Sequence, residues 1–510
     1  MSHTPSRSDA PVTASSRRDF LRRGGAVSLG AALPAWGMNL AAMVASANAA
    51  AAVSNTGDGY KALVCVFLQG GNDHANTVVP VDAAGHALYA RLRGALATPR
   101  AQLLPLSPLA SAPAVNGLGG GQLALSPALP KLQQLFNTER RLAVLLNIGP
   151  LQQPTTLAQF RARSVALPPK LFSHNDQQSV WQSHAAEGST VGWGGLIGDQ
   201  GLLSNRAAQA TESLSCVNLA GNAVYLAGQQ AGQFMVNPLG PDRLLALQPA
   251  NMLGSQDCVD AFKALVGTQE PAVHRLAKEH SAIMRRAMDT NAVLLDKLSR
   301  VSVPDARTQA SGNPLADQLR TAARIMAAHR SLGAAGAAGA GLRRQVFFVS
   351  LGGFDLHDNL SGQHPVLLAQ LDEALAQLDT DLGELQMRDQ VTAFTASDFG
   401  RTLSSNGDGS DHGWGAHHFV MGGAVQGGRF WGDWPEVTDH DTGAQNIGQG
   451  RLLPTMAVDH LSEALARWMG VTDATLLDNG ANNGKKALDR IAPHRSAFAG
   501  NSPLTGLMSG

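Results

Sequence analysis

The apolar positions of this chain fall into two kinds of stretch. Four are short and continuous: Lys61–Gln69, Leu142–Ile148, Gln345–Ser350 and Val391–Ser397. Runs of this length without polar alternation read as strands buried on both faces. The second kind is longer and repeats apolar residues at helical spacing. It covers Ala261–Leu298, with Pro271 as a break or first-turn residue, Leu315–Leu332, Val366–Met387 and Thr455–Met469. Two short helices have cap signals. Thr155 or Thr156 can cap one reaching Phe160, and Ser173 can cap one running through Trp181. Between these elements, Val81–Pro130 is mixed in pattern and loop-rich, as a surface excursion is, and Gly192–Leu253 contains short alternating runs and many glycines. Strands alternating with helices predict an α/β fold with a mostly parallel sheet, helices on both faces, three layers in all.

Polar clusters follow the predicted strands. Asp73 comes after the first, in Gly70-Gly71-Asn72-Asp73-His74. Asp355 and His357 come after the third, and Asp398 directly after the fourth. The stretch Thr395–Gly428 then adds Arg401, Asp408, Asp411, His412, His417 and His418 on what reads as a Gly-rich loop. In open α/β sheets ligands bind beyond the carboxyl ends of the strands. Carboxylate and imidazole together suit Zn, Mn or Fe. The plainer alternative is turn chemistry, since Gly-Asn-Asp also makes good turns. Arg401 is placed either to hold an anionic oxygen bidentately or to order its loop through a salt bridge.

Composition narrows the function. The 510 residues carry 39 basic and 39 acidic side chains, so the formal charge is zero and no basic nucleic-acid surface is expected. There are three cysteines; Cys65 reads as a buried small hydrophobe, while Cys216 and Cys258 can either pair or stay free. Gly333–Gly341 is low-complexity and reads as a connector, and Asn479–Gly510 as an irregular tail. No stretch reaches the length of a transmembrane helix beyond the N-terminal segment. That segment, residues 1–49, has paired Arg17-Arg18, then Phe20-Leu21, a mildly apolar Gly/Ala run, and Ala47-Asn48-Ala49 as a cleavage site. It closely resembles a twin-arginine export signal, which implies passage through that translocase to the periplasm or the exterior. Residues 50–510 are then expected to form a single large α/β domain with loop-rich insertions.

Five stretches carry a family resemblance: F-L-Q-G-G-N-D, L-F-S-H-N-D-Q-Q, S-L-G-G-F-D-L-H, S-D-F-G-R-T and D-H-G-W-G-A-H-H-F-V-M-G-G. With them the chain resembles the exported bacterial family called domain of unknown function 1501. That family in turn looks like a remote branch of the alkaline phosphatase and sulfatase superfamily. The resemblance implies an alkaline-phosphatase-like sheet and a two-metal site. It maps a metal-binding Asp onto Asp73, a hydroxyl nucleophile onto Ser173, and an Asp-His pair onto Asp411-His412. Asp355 with His357 stands for an Asp-x-x-x-His element, at shorter spacing, and His417 or His418 for the last histidine. Asp398 joins them as a metal candidate, although Phe399 follows it where a histidine is an alternative expectation. Thr155 or Thr156 can replace Ser173. The implied function is metal-dependent hydrolysis of a small anionic phosphate or sulfate ester, with Zn or Mn, or else Ca. The alternative is a non-catalytic binding or assembly protein for a periplasmic partner.

Overall fold

Continuous apolar runs have no polar face to turn to solvent, so they pair at the centre of a sheet. In the computed structural model they do so. Residues 59–205, 213–221, 223–267, 274–301, 310–332, 341–477, 484–498 and 502–509 are described. The leader 1–49, Pro271, and residues 333–340 of the low-complexity run lie outside the described residues.

The main sheet has nine strands: β1 (Lys61–Leu68), β2 (Leu142–Gly149), β3 (Cys216–Asn218), β4 (Phe234–Met235), β5 (Arg344–Leu351), β6 (Val391–Ser397), β7 (Ala416–Gly422), β8 (Arg429–Trp431) and β9 (Met456–Ala457). The order is β8-β2-β7-β6-β1-β5-β3-β4, with β9 also pairing β2. β1 pairs in parallel with both β5 and β6, and in register Leu68 meets Leu351 on one side and Ser397 on the other. β7 runs antiparallel to both of its neighbours, β2 and β6. Every other pairing in this sheet is parallel.

Alternation along each strand feeds two cores. Val64, Val66, Val144 and Phe347 enter one, with α3 (Pro314–Ala327) and α4 (Leu360–Glu384) packed into it through Leu319, Leu371 and Leu375. Leu63, Cys65, Leu145 and Phe348 enter the other, where Trp181 of α2 (His174–Ser183) and Leu461 and Leu465 of α5 (Val458–Trp468) pack. The fold is therefore mixed α/β with a mostly parallel central sheet. A further helix, α1 (Ala83–Arg93), begins at Asp82, whose carboxylate accepts the Gly85 N–H. All three cysteines are free.

Two readings of the pattern need correcting. Ala416–Gly422 is a buried strand rather than part of a loop, with all seven residues out of solvent. Ala83–Arg93, inside the stretch read as a surface excursion, is a helix, and so is Trp193–Asn205, which the glycine-rich pattern did not declare. Its glycines allow the close approach: a Cβ on Gly194 would run into the Tyr225 ring.

Candidate metal centre

The register of β1, β5 and β6 brings three chain ends to one edge. The turn after β1 is held by Gly70 at φ 114°, which L side chains rarely adopt. In that conformation the Gly70 N–H donates to Asp398 Oδ1 at 3.1 Å, and the Gly70 carbonyl accepts from Arg401 Nη1 at 3.1 Å. Asp398, the first residue after β6, is fully buried. Asp355, four residues beyond β5, reaches the same point.

Three imidazoles converge on Asp355. His174 Nε2 lies 3.3 Å from Asp355 Oδ2, while His412 Nε2 and His357 Nε2 lie 3.2 and 3.1 Å from Asp355 Oδ1. His357 Nε2 and His412 Nε2 are 2.9 Å apart. Donor atoms bound about 2.0–2.1 Å from one ion stand about 3.0–3.4 Å from each other. The ligand atoms of His174, Asp355 and His412 all lie within 4.8 Å of one another, a group that could hold one cation, and His357 stands beside that group rather than in it.

The outward-facing nitrogens fix which atoms are free. His174 Nδ1 is 2.6 Å from Asp398 Oδ2, which also accepts from Gln178 Nε2 at 2.8 Å. His412 Nδ1 donates to the Phe172 carbonyl at 2.8 Å, and His357 Nδ1 faces Asp411 Oδ1 at 3.3 Å. With its Nδ1 proton on the Phe172 carbonyl, neutral His412 presents its Nε2 lone pair to Asp355 and to His357, whose Nε2–H can donate to it. His412 Nε2 and Asp355 Oδ1 are then two acceptors 3.2 Å apart, which repel unless a cation or a proton sits between them. Phe172 stands at φ 73° to present its carbonyl, a conformation costing about 1–3 kcal/mol for a bulky residue.

The electrostatics differ between the rings. Burial pushes the His412 pKa down, which keeps its Nε2 unprotonated at neutral pH. The hydrogen bond to Asp398 raises that of His174. For Asp355, burial pushes the carboxyl up, but Arg401 and the histidines outweigh it and the net shift is downward. The Asp355 side chain is 43% exposed, so the cluster opens to solvent. Phe399 lies against two of the rings, with centroids 4.8 Å from His174 and 4.5 Å from His412.

Of the site residues named from sequence, Asp355, His357, Asp398, Asp411 and His412 come together. Three do not join them. Asp73 is buried in an ion pair with Arg93 at 2.5 Å. His417 Nδ1 accepts the Asn147 N–H, and its ring stacks on Trp434. His418 Nδ1 meets Thr395 Oγ1, and its ring packs on Trp181. Adjacent residues of a strand point to opposite faces, so one strand could not deliver both to one ion.

Arg401 is buried and engaged by the protein: Nη1 donates to Asp355 Oδ1 at 2.9 Å, Nε to Ser410 Oγ at 3.0 Å, and Nη2 to the Ser410 carbonyl. Of its two sequence readings, the geometry has the salt bridge that orders the loop. Ser173 is the N-cap of α2, but its hydroxyl donates to Asp176 Oδ2 at 3.0 Å rather than capping or facing the cluster. Thr156 forms a capping box with Gln159, and the Thr155 hydroxyl donates to the Gln153 carbonyl.

His174, next to Ser173 in the sequence, is not among the site residues the sequence pattern names. Gln178 was also missed. The two are four residues apart, hence on one helical face, and that spacing was the available signal.

Residues 60–478 match the family model described as "Protein of unknown function (DUF1501)", a span that includes every member of the cluster, and the chain belongs to that family. Comparison with curated proteins finds no match.

Proposed function

We propose that the chain is an exported metal-dependent hydrolase of phosphate or sulfate esters, built on an alkaline-phosphatase-like three-layer frame, with one divalent ion, Zn or Mn, held by His174, Asp355 and His412. The observation that supports this reading is the convergence of His174 Nε2 and His412 Nε2 on the Asp355 carboxylate, at 3.3 and 3.2 Å. Two nitrogens and one carboxylate are a donor set that Zn and Mn accept more readily than Ca. A divalent ion there supplies Lewis-acid neutralisation of an ester's anionic oxygens and lowers the pKa of water.

The chain's own residues orient that chemistry. Asp398 and the Phe172 carbonyl fix the tautomers of His174 and His412. Arg401 anchors Asp355, and Phe399 packs beside two of the ligand rings. Among the described residues no serine or threonine hydroxyl hydrogen-bonds the side chain of His174, Asp355 or His412, and Asp73 pairs with Arg93. The proposal is therefore a one-metal site in which water attacks, with Ser173 a helix-start residue rather than the nucleophile. A second reading draws on the same region. A protonated His174 bridging Asp398 and Asp355 would suit a non-catalytic binding protein, and its raised pKa favours that state.

Metal content separates the two readings. Elemental analysis of protein purified from the periplasm should find about one Zn or Mn per chain. Asp398→Asn should weaken zinc binding by about 10–100-fold, as loss of a ligand's carboxylate partner does. Ser173→Ala should keep both the metal and aryl-ester turnover. Protein that arrives without metal, and takes up zinc no better than His412→Ala in calorimetry, would leave only the binding-protein reading.

A further inference from the structure

A cavity of about 410 Å³ lies between α1, the strand Val78–Pro80, the turn around Gly119 and the segment Trp434–Val437, and shares no lining residue with the metal cluster. Its size falls within the range of about 300–1,000 Å³ typical of small-molecule sites. The walls are apolar, among them Val78, Leu88, Leu92, Leu403 and Val437. No Lys or Arg lines it.

Its polar groups fall into two sets. Two are already satisfied: Asp82 accepts the Gly85 N–H at 2.9 Å, and the Tyr89 hydroxyl donates to Asn76 Oδ1 at 2.7 Å. The other two are histidines. His417 is 2% exposed, and its Nδ1 accepts the Asn147 N–H at 3.1 Å, which puts the ring proton on Nε2. His74 is 1% exposed, its Nδ1 faces the Arg401 N–H at 3.4 Å, and its Nε2 is a buried atom with no partner. The two rings meet edge to face, with centroids 5.2 Å apart. Burial holds both neutral, His417 being pushed down to about 3. The result is a mainly apolar chamber whose one charged lining group is the Asp82 carboxylate and whose imidazole donor is the His417 N–H, with His74 Nε2 enclosed behind it. An unmatched buried donor costs free energy, and an acceptor carried in by a ligand would match it. An anion would surrender its hydration for a neutral donor beside a carboxylate, which disfavours it.

We propose that this cavity binds a neutral, mainly apolar molecule whose oxygen acceptor, of carbonyl type, takes the N–H group of His417. It is a different ligand class from the anionic ester assigned to the metal centre, and it stands whether or not that assignment does.

The test uses the neutral naphthyl ketone dye Prodan, titrated onto the full-length exported protein with its metal content as isolated. Saturable binding is expected, with acetylnaphthalene displacing the dye and naphthoate failing to. Naphthalene, which has the same apolar body without the acceptor, should compete about fivefold to tenfold more weakly, the worth of one hydrogen bond. Leu88→Trp should fill the cavity and abolish binding. His417→Phe keeps a ring on Trp434 but removes the donor, and should weaken the dye by the same factor and shift its emission to the blue. Circular dichroism and a melting curve establish that each variant is folded, and the competition series on the unaltered protein needs no variant. The proposal is overturned if Prodan does not bind, if Leu88→Trp binds it undiminished, or if naphthoate competes as well as acetylnaphthalene.

Discussion

Asp73→Asn separates a structural carboxylate from a metal ligand. Asp73 and Arg93 are 1% and 0% exposed at their side chains. Arg93 Nη1 also donates to the carbonyls of Thr402 and Leu403, at 2.9 and 3.3 Å. Those two bonds satisfy donors, but they do not neutralise the charge. Removing one partner of a buried pair typically costs about 3–5 kcal/mol, because the other charge is left uncompensated. Asparagine retains an acceptor, so the loss should lie near the lower end. The double variant Asp73→Asn with Arg93→Met removes both charges and should recover most of the stability. Urea unfolding midpoints measure the first quantity, and elemental analysis of the same samples measures metal. Metal content should be unchanged in Asp73→Asn. A variant of normal stability that has lost its metal would refute the structural role and return Asp73 to the ligand set implied by the superfamily resemblance.

Two further outcomes follow from other parts of the chain. Asp459 of α5 accepts from the His494 N–H at 2.7 Å and lies 3.2 Å from His184 Nδ1. Burial alone would raise its carboxyl, but His184 and His494 outweigh it and hold it well below the usual range. A depressed carboxylate contributes stability that is complete above the unfolded value of about 3.9 and lost as pH falls through the folded one. Asp459→Asn should therefore lower the urea midpoint by an amount that is constant from pH 7 to about pH 5 and shrinks below about pH 4; a gap that persists unchanged into stronger acid would contradict it. Lysine at both Arg17 and Arg18 should trap precursor in the cytoplasm, and undiminished periplasmic accumulation in fractionated cells would reject the export assignment.

How much of this was legible depends on whether the deciding partner was close in sequence. The strands Lys61–Leu68 and Arg344–Leu351 were readable because a run buried on both faces needs no partner to declare itself. β7 was not, because its sequence A-H-H-F-V-M-G opens on two histidines that interrupt the apolar pattern. Those histidines are tolerated inside because Asn147 and Thr395 meet one nitrogen of each. Asp73 was taken for a ligand because nothing in the sequence ties it to Arg93, at the far end of a helix. The acids at the ends of β5 and β6 were found because the strand ends themselves marked them. Their role as orienters or ligands depended on which imidazole nitrogen each faced, and pattern does not carry that. The helix Trp193–Asn205 was hidden by four glycines that lower helix propensity while permitting tight packing.

The turn after β1 explains why these features occur together. Within five residues, Gly70 supports Asp398 and Arg401, Asp73 neutralises Arg93, and His74 lines the apolar cavity. Arg401 is the link between the two regions: its guanidinium anchors Asp355 while its backbone N–H faces His74. A Cβ on Gly70 would collide with the Asp355 backbone, so the close approach that sets the cluster requires glycine at that position. The neighbouring Asp73–Arg93 pair then fixes α1 against the hairpin strand Arg401–Ser405 through the Thr402 and Leu403 carbonyls. Leu403 and the α1 residues Leu88 and Leu92 are themselves walls of the cavity. The carboxylate that the superfamily resemblance placed on a metal is thus the one that holds the cavity's walls together, and the candidate metal cluster gains from this turn only a backbone N–H and a carbonyl.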